Sequence, residues 1–458
     1  MRIVQAVHAF VPRSVAGVEV YTSRLARALR SQGHEVLILT AVHDLSAPPY
    51  SIRRRRAGDL DVAEIVSVHP RGTLEASYDD PELESAASQV LHEFRPDCVH
   101  VQHLLNLSAG IIPAARAAGA AIVITLHDYW LSCPRDGLRM RADLDVCETM
   151  DHARCAGCLA DSPYLVPAVQ RGAASLLRRA GLGAPLHRIH DLLPRTTESL
   201  LGLVRRVSPP ASDLAAAMDR RAAHLRRVLD DVDLVLAPTA FARQRAIEFG
   251  LPAARVLECA YGVVEPPTLP RRPGPRRRVG YVGTLAPHKG VHVLVEAFRG
   301  VDGSDLRLDV HGSLAVQPGY AAALKHAASG DDRIRFRGAF PEGRQGESLA
   351  DLDVLVVPSL WWENSPLVVL EALAHGILVV ASATGGVPEL IDAGRSGLLF
   401  EPGDVSALRR HLTDVTAGRQ LAEGLPALPL KTVAEGAQEL AAHYTRLASA
   451  RSEVRHAV

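Results

Sequence analysis

WWENSPLVVLEALAHG, residues 361–376, is the stretch on which the fold turns. From Leu367 to Ala374 it is apolar except for Glu371, and a second glutamate, Glu363, stands eight residues earlier. It follows DVLVVPS, an apolar run of strand length, so Leu360–Ser365 reads as the loop off the carboxyl end of a buried strand. Ser365 is expected to N-cap a helix with Pro366 at its first position, running to about His375 and stopping at Gly376. A helix that is apolar all round is packed on most sides. A glutamate inside it costs roughly several kcal/mol unless it is paired. A core arginine or ligand hydroxyls can supply the pairing; Glu363, in the neighbouring loop at the sheet edge, favours the ligand.

Short β-branched runs alternate with helical ones on both sides of this stretch. RIVQAV, a loop with Pro12 and Gly17, a helix over about Val18–Arg30, then EVLILTA open the chain, followed by DCVHVQ, AAIVITL and DLVLAPT. The rhythm resumes with RRVGYVG, HVLVEAFRG, LRLDVHG, IRFRGAF, DVLVVPS and ILVVASA. Such alternation predicts parallel sheets with helices on both faces. EPPTLPRRPGPRRR, 265–278, has no burial pattern and reads as a linker. The expected layout is therefore a first Rossmann-like domain over 1–264, interrupted at about 131–230, and a second over 279–425. Residues 426–458 form a terminal helix. A ligand belongs in the cleft, at the carboxyl ends of the strands.

With 458 residues, 47% apolar and 22% charged, the chain suits a soluble protein of two or three domains. Zero formal net charge gives no nucleic-acid footprint. The N-terminus lacks a signal-peptide layout, no apolar run reaches membrane-spanning length, and six cysteines in such a chain suggest reduced thiols; a cytoplasmic protein is expected. Only three lysines occur, which singles out Lys289 in VGYVGTLAPHKGV, 279–291. There a strand ends at Gly283 and Lys289-Gly290 precedes a helix, an anion site in outline. ATGGVPELI, 383–391, repeats the arrangement with Gly385-Gly386, and the two turns together suit a diphosphate.

Glu-x7-Glu after a strand, with Gly-Thr-Leu-x4-Lys-Gly upstream, resembles the retaining glycosyltransferases of family 4, over nearly the whole chain. The resemblance implies the GT-B fold: two facing Rossmann-like domains, here with a helical, cysteine-containing insertion in the first and a C-terminal helix packing back on it. It implies that Glu363 faces the donor sugar, Glu371 holds the ribose hydroxyls, Lys289 binds the diphosphate, and Asn364, Ser365 and Leu367 lie close to sugar and phosphate. The family usually has arginine where this chain has Thr284, beside Gly283. Its Gly-Gly loop is Ala16-Gly17 here, so only Gly17 matches. TLHDYW sets His127 at a strand end facing the cleft, near the donor sugar.

The implied reaction moves a sugar from a UDP-, GDP- or dTDP-linked donor to a hydroxyl, with retention and no catalytic metal. Polysaccharide, glycolipid or glycosylated-metabolite synthesis fits. Two rivals are a sugar-nucleotide epimerase on the same fold and a non-catalytic partner subunit. Four Asp-x-Asp pairs, beginning at Asp59, Asp143, Asp231 and Asp351, are too scattered for a cation site. Cys133, Cys147, Cys155 and Cys158 lie within 26 residues and include one C-x2-C pair; they are candidates for a structural zinc or for reduced thiols packing a loop-rich insert. Between Arg171 and Arg227 stand eleven arginines and four acidic residues. The interleaved leucines make a solvated helical insertion or a face for an anionic bilayer or a lipid-linked acceptor, which would put the protein peripherally at the inner membrane face.

Overall fold

The computed structural model describes residues 1–44, 47–67, 74–160, 211–264, 276–339, 349–419 and 430–456. The apolar runs form two sheets. The first contains β1 (Arg2–Val7), β2 (Glu35–His43), β3 (Ile52–Ala57), β4 (Leu60–Ser67), β5 (Cys98–Val101), β6 (Ala121–Thr125), β7 (Leu234–Ala237) and β8 (Val256–Glu258). The second contains β9 (Arg278–Val282), β10 (Arg307–His311), β11 (Ile334–Gly338), β12 (Val354–Val357), β13 (Leu378–Ser382) and β14 (Gly397–Phe400).

Strand order is β3-β4-β2-β1-β5-β6-β7-β8 in one sheet and β11-β10-β9-β12-β13-β14 in the other. All pairings are parallel except that of β3 with β4. Both sheets thus contain the doubly wound 3-2-1-4-5-6 order, whose ligand crevice opens where the order reverses. In the first sheet that point lies between β1 and β5, and in the second between β9 and β12. β3 is IRRRRA, a charged edge strand that keeps the sheet from pairing further.

Each strand divides its side chains between two cores, as the pleat requires. Val4 and Leu37 face one way from the first sheet, and Ile3 and Val36 the other. In the second sheet Val354 and Val356 face one core, and Leu355 and Val357 the other. The terminal helix Val433–His456 returns to the first sheet, setting Ala437, Leu440 and Tyr444 among Ile3, Leu25 and Ile38. The Tyr444 hydroxyl bonds His100 Nδ1 at 2.5 Å, and Arg451 pairs with Asp233. The chain's return runs beside its outward crossing: Val263 N donates to Lys431 O and Val433 N to Val263 O. Gly262 permits this, because a Cβ there would strike the Thr432 carbonyl.

The interrupting segment departs from the β1 sheet after Leu131. It contains a Met140–Val146 bridge, the helix His152–Ala160 and, after residue 210, the helix Ala211–Leu229. The last of these turns Leu214, Met218, Leu225 and Leu229 into the core, so its apolar face is not free for a bilayer. Its Arg221 is buried, donating to the carbonyls of Trp130 and Leu131. Residues 171–210 of the arginine-rich stretch and 265–275 of the expected linker lie outside the described residues. No helix among the described residues is long and apolar enough to cross a membrane.

Tyr444→Ala is expected to lower stability by about 3–5 kcal/mol through the cavity it leaves. Tyr444→Phe, which deletes one hydrogen bond, should cost about 1 kcal/mol. Urea unfolding of the two variants checks both; equal losses would mean that the ring is not packed in the sheet core.

Candidate active site

The loop Pro358–Pro366 leaves β12 at the switch point and is held from both sides. Gly290 supports one side at φ +68°, where a Cβ would collide with the Pro358 carbonyl, and Leu360 N donates to His288 O. On the other side a Cβ on Gly385 would strike the Glu363 backbone, and one on Gly386 the Asn364 carbonyl. Gly386 N donates to Glu363 O at 2.7 Å. These glycines are therefore needed for close approach of backbones, and the Gly386 amide that sequence reasoning offered to a diphosphate is already bonded.

Glu363 is the focus of the loop and is 5% exposed. Its Oε1 accepts from Lys289 Nζ at 2.7 Å, Ser359 Oγ at 2.6 Å and Trp361 Nε1 at 2.8 Å. Burial pushes its pKa upward, but the Lys289 charge and these hydrogen bonds outweigh it and hold the group below the usual glutamate range. Lys289 also lies 4.6 Å from the Trp361 ring centroid. His288, beside that ring, is held neutral by burial and the Lys289 charge, its pKa lowered to about 4.

The helix starts at Leu367, one residue later than expected. Pro366 occupies the cap position with ψ 118°, an extended conformation, so Ser365 caps nothing. Ser365 Oγ and Asn364 Oδ1 are buried without a protein partner. Asn364 Nδ2 donates across the cleft to Leu126 O at 3.3 Å, which brings the loop against the strand end carrying His127. Trp362 fits between Tyr129 and Phe241 of the first sheet's half, with Arg139 and Arg245 over its ring.

His127 Nε2 meets Gln102 Oε1 at 2.7 Å and Nδ1 meets the Tyr261 hydroxyl at 2.6 Å. Gln102 Oε1 accepts only, so Nε2 carries the proton and Nδ1 accepts from Tyr261. Desolvation, then the neighbouring His103 and His100, holds its pKa well below the usual histidine value. Its neighbour Asp128 pairs with His103 at 2.7 Å and accepts from Trp130 N. His8, against the His103 ring, is likewise neutral: burial, then His103, lowers its pKa to about 3.

Glu371 carries the second carboxylate, and its Oε1 pairs with Arg24 from the helix Gly17–Ser31 of the other half. The core-arginine reading thus describes this closed arrangement, with the arginine supplied across the cleft. Gly17 opens that helix exposed, after an extended Ala16 and without a side-chain cap. Gly283 follows β9 with its amide donating to His311 O, and Thr284 is exposed. Leu367 packs by Tyr261 and Leu370 at the cleft. Glu389 completes the contact between halves, accepting from Ala240 N at 2.6 Å and Phe241 N at 2.7 Å at a helix start.

Glu363, Lys289, Asn364 and Ser365 are thus brought together, facing the His127 strand end. Sequence reasoning missed Arg24, Trp361, Trp362, Gln102 and Tyr261; the Trp-Trp pair beside Glu363 was the available signal. Each Asp-x-Asp site is in an arginine pair: Asp59 with Arg27, Asp143 with Arg141, Asp231 with Arg116 and Asp351 with Arg278. Among the described residues no three His, Cys, Asp or Glu side chains are arranged to hold a metal ion. The four insertion cysteines nevertheless line one cavity of about 30 Å³.

A folded-state pKa below the unfolded value stabilises above the unfolded pKa, and the gain is lost as pH falls through the folded pKa. The Glu363 contribution is therefore full above about 4.5, the ordinary glutamate value, and fades below it. The stability difference between wild type and Glu363→Gln should shrink as pH falls through this range; a pH-independent difference in unfolding midpoints would contradict it.

Two family descriptions match the chain: "Glycosyltransferase Family 4" over residues 15–173 and "Glycosyl transferases group 1" over 276–417. The amylovoran biosynthesis glycosyltransferase AmsK of Erwinia amylovora is 33% identical over 153 residues, 31% of this chain and 36% of that protein. The 2-deoxystreptamine N-acetyl-D-glucosaminyltransferase of Streptomyces fradiae is 27% identical across 96% of this chain and 92% of its own length. The matches to the first curated relatives span only 36% to 47% of those proteins. Among solved structures, Anabaena HepE in complex with UDP and glucose is similar over 100% of both chains, with TM-score 0.58 at 16% identity, a likeness of fold.

Proposed function

We propose that this chain, a GT-B-fold relative of the group 1 and family 4 glycosyltransferases, transfers a sugar from a nucleotide-diphosphate donor to a hydroxyl acceptor with retention of anomeric configuration. The observation that carries this reading is the Glu363 carboxylate, buried yet ionised, fixed on Lys289 at a switch point and opposite His127.

In the proposed reaction the bond from the anomeric carbon to the diphosphate breaks and a bond from the acceptor oxygen forms on the same face. The acceptor proton passes to the departing phosphate oxygen. Negative charge grows on the leaving group, so preorganised positive charge and free amides there lower the barrier. Lys289 supplies the charge, and the uncapped start of the Gly17–Ser31 helix supplies amides and a favourable dipole end. Glu363 is assigned to sugar hydroxyls, as is neutral His127 on exchange of its bond to Gln102 or Tyr261. Asn364 and Ser365 are assigned to sugar or phosphate oxygens, and Gly283, Thr284 and Leu367 to the diphosphate side. Glu371 is assigned to the ribose hydroxyls, and binding there exchanges its ion pair with Arg24. Donor entry therefore requires the halves to separate and close again, excluding water.

A nucleotide-sugar donor implies a cytoplasmic reaction, and no residue of this cleft is assigned to a metal. The Streptomyces relative acts, by its name, on 2-deoxystreptamine; we extend to this chain a polyhydroxylated acceptor of that kind or a glycan end, with a lipid-linked acceptor as the further case.

The test is a panel of UDP-, GDP- and dTDP-sugars, including UDP-N-acetylglucosamine, read first by melting temperature and then by product formation with 2-deoxystreptamine and oligosaccharide acceptors. One donor should raise the melting temperature, and NMR of its product should show the donor's anomeric configuration. Lys289→Ala should lower kcat by about 10²–10³-fold. Inversion at the anomeric carbon, an epimer formed without acceptor, or no donor binding at all would each overturn the proposal.

A further inference from the structure

We infer that Cys133, Cys147, Cys155 and Cys158 form a structural site for a tetrahedral, thiolate-preferring divalent cation, zinc, that fastens the insertion to the first sheet's half. The inference rests on the fold and does not depend on the proposed reaction.

All six cysteines are reduced, and they fall into two groups. Cys98 and Cys259 are buried, as free cysteines that act as small apolar side chains ordinarily are. The other four are only half-buried, and of these Cys155 packs against the core of the first sheet. Three separate pieces of local structure carry them. Cys133 ends a turn, its N donating to Tyr129 O at 2.8 Å. Cys147 closes the hairpin of the Met140–Val146 bridge, its N donating to Arg139 O at 2.7 Å. Cys155 and Cys158 stand three apart on the helix His152–Ala160, hence on one face. All four thiols line the 30 Å³ cavity, and Cys147, Cys155 and Cys158 also line an adjoining cavity of about 230 Å³.

The segment needs such a fastening. Between residues 131 and 160 the buried apolar side chains are Leu131, Met140, Ala156 and Leu159, and three non-glycine residues there, Asp136, Arg139 and Leu144, hold positive φ. A segment with so little core of its own is the kind that a metal staples. The thiols do not converge at bonding distance in this structure. Loading therefore requires the four sulfurs to converge, each reaching about 2.3 Å from the metal. Loading releases the four thiol protons and leaves two net negative charges. Arg135 and Arg139 line the small cavity and offset that charge; Arg141 and Arg154, at the larger one, are already paired with Asp143 and Asp145 and with Asp151. Arg139 donates to the carbonyls of Cys147 and Glu148, and its guanidinium lies 5.2 Å from the Trp362 ring centroid. The cysteine segment is thereby joined to the loop that carries Glu363.

The full chain, produced in zinc-supplemented medium and purified without chelator or metal-affinity tag, is analysed by plasma mass spectrometry. About one zinc per chain is expected, released by a mercurial that titrates thiols. Cys155→Ser/Cys158→Ser should lower zinc to below about a tenth of the wild-type content, whereas Cys98→Ser should retain it. Should the double variant fail to fold, cobalt added to the metal-stripped wild type gives an independent reading: a thiolate charge-transfer band with intense tetrahedral ligand-field bands. Zinc-free protein that still fails to bind added zinc, a Cys155–Cys158 disulfide in the peptide map, iron with visible absorbance, or a cobalt spectrum of octahedral type would each overturn the site.

Discussion

A carboxylate kept ionised out of water is the constraint around which the cleft is built. Burial alone would protonate Glu363 or unfold its loop, since an uncompensated buried charge costs several kcal/mol, roughly. Three donors converge on one oxygen, and one of them, Lys289, brings a full charge. Donors help only if they cannot drift, and the glycines secure that. Gly290 lets the Lys289 turn meet the Pro358 carbonyl, while Gly385 and Gly386 let the β13 turn press on Glu363 and Asn364. Any side chain at these positions would push the carboxylate out of register with its partners.

The same loop governs how the halves meet. Asn364 reaches the Leu126 carbonyl, Trp362 enters an aromatic and guanidinium cage, and Glu371 is taken by Arg24. Glu389 bonds two amides at a helix start on the far side. These are polar or aromatic contacts of the kind that domain motion can make and break. The paired crossings at Val263 and Thr432 stay behind as the place where the two halves remain tied.

Much of this was legible in the sequence because burial on both faces leaves a plain signal: runs such as RIVQAV, EVLILTA, AAIVITL, DVLVVPS and ILVVASA became parallel strands. The spacing of Glu363 and Glu371 and the isolation of Lys289 among so few lysines pointed to the loop and turn that meet in the Lys289–Glu363 ion pair. What escaped has physical reasons. β3 is charged along its length, as an edge strand is, and so lacks the apolar pattern of a strand. The partner of Glu371 is 347 residues away, on a helix whose own pattern shows only its buried face. Ser365 carried a capping signature, but Pro366 stays extended and starts the helix later. The glycine pair read as a phosphate turn because close backbone approach and anion binding call for the same residue.

The central claim is that Glu363 is held ionised to act on the donor sugar, and Glu363→Gln tests it most directly, because the amide keeps the shape and loses the charge. Sugar transfer and nucleoside-diphosphate affinity should be measured side by side on the folded variant. Transfer is predicted to fall by about 10²-fold or more while nucleoside-diphosphate affinity stays within a fewfold of wild type. Transfer at the wild-type rate, or loss of nucleotide affinity in step with activity, would contradict the account.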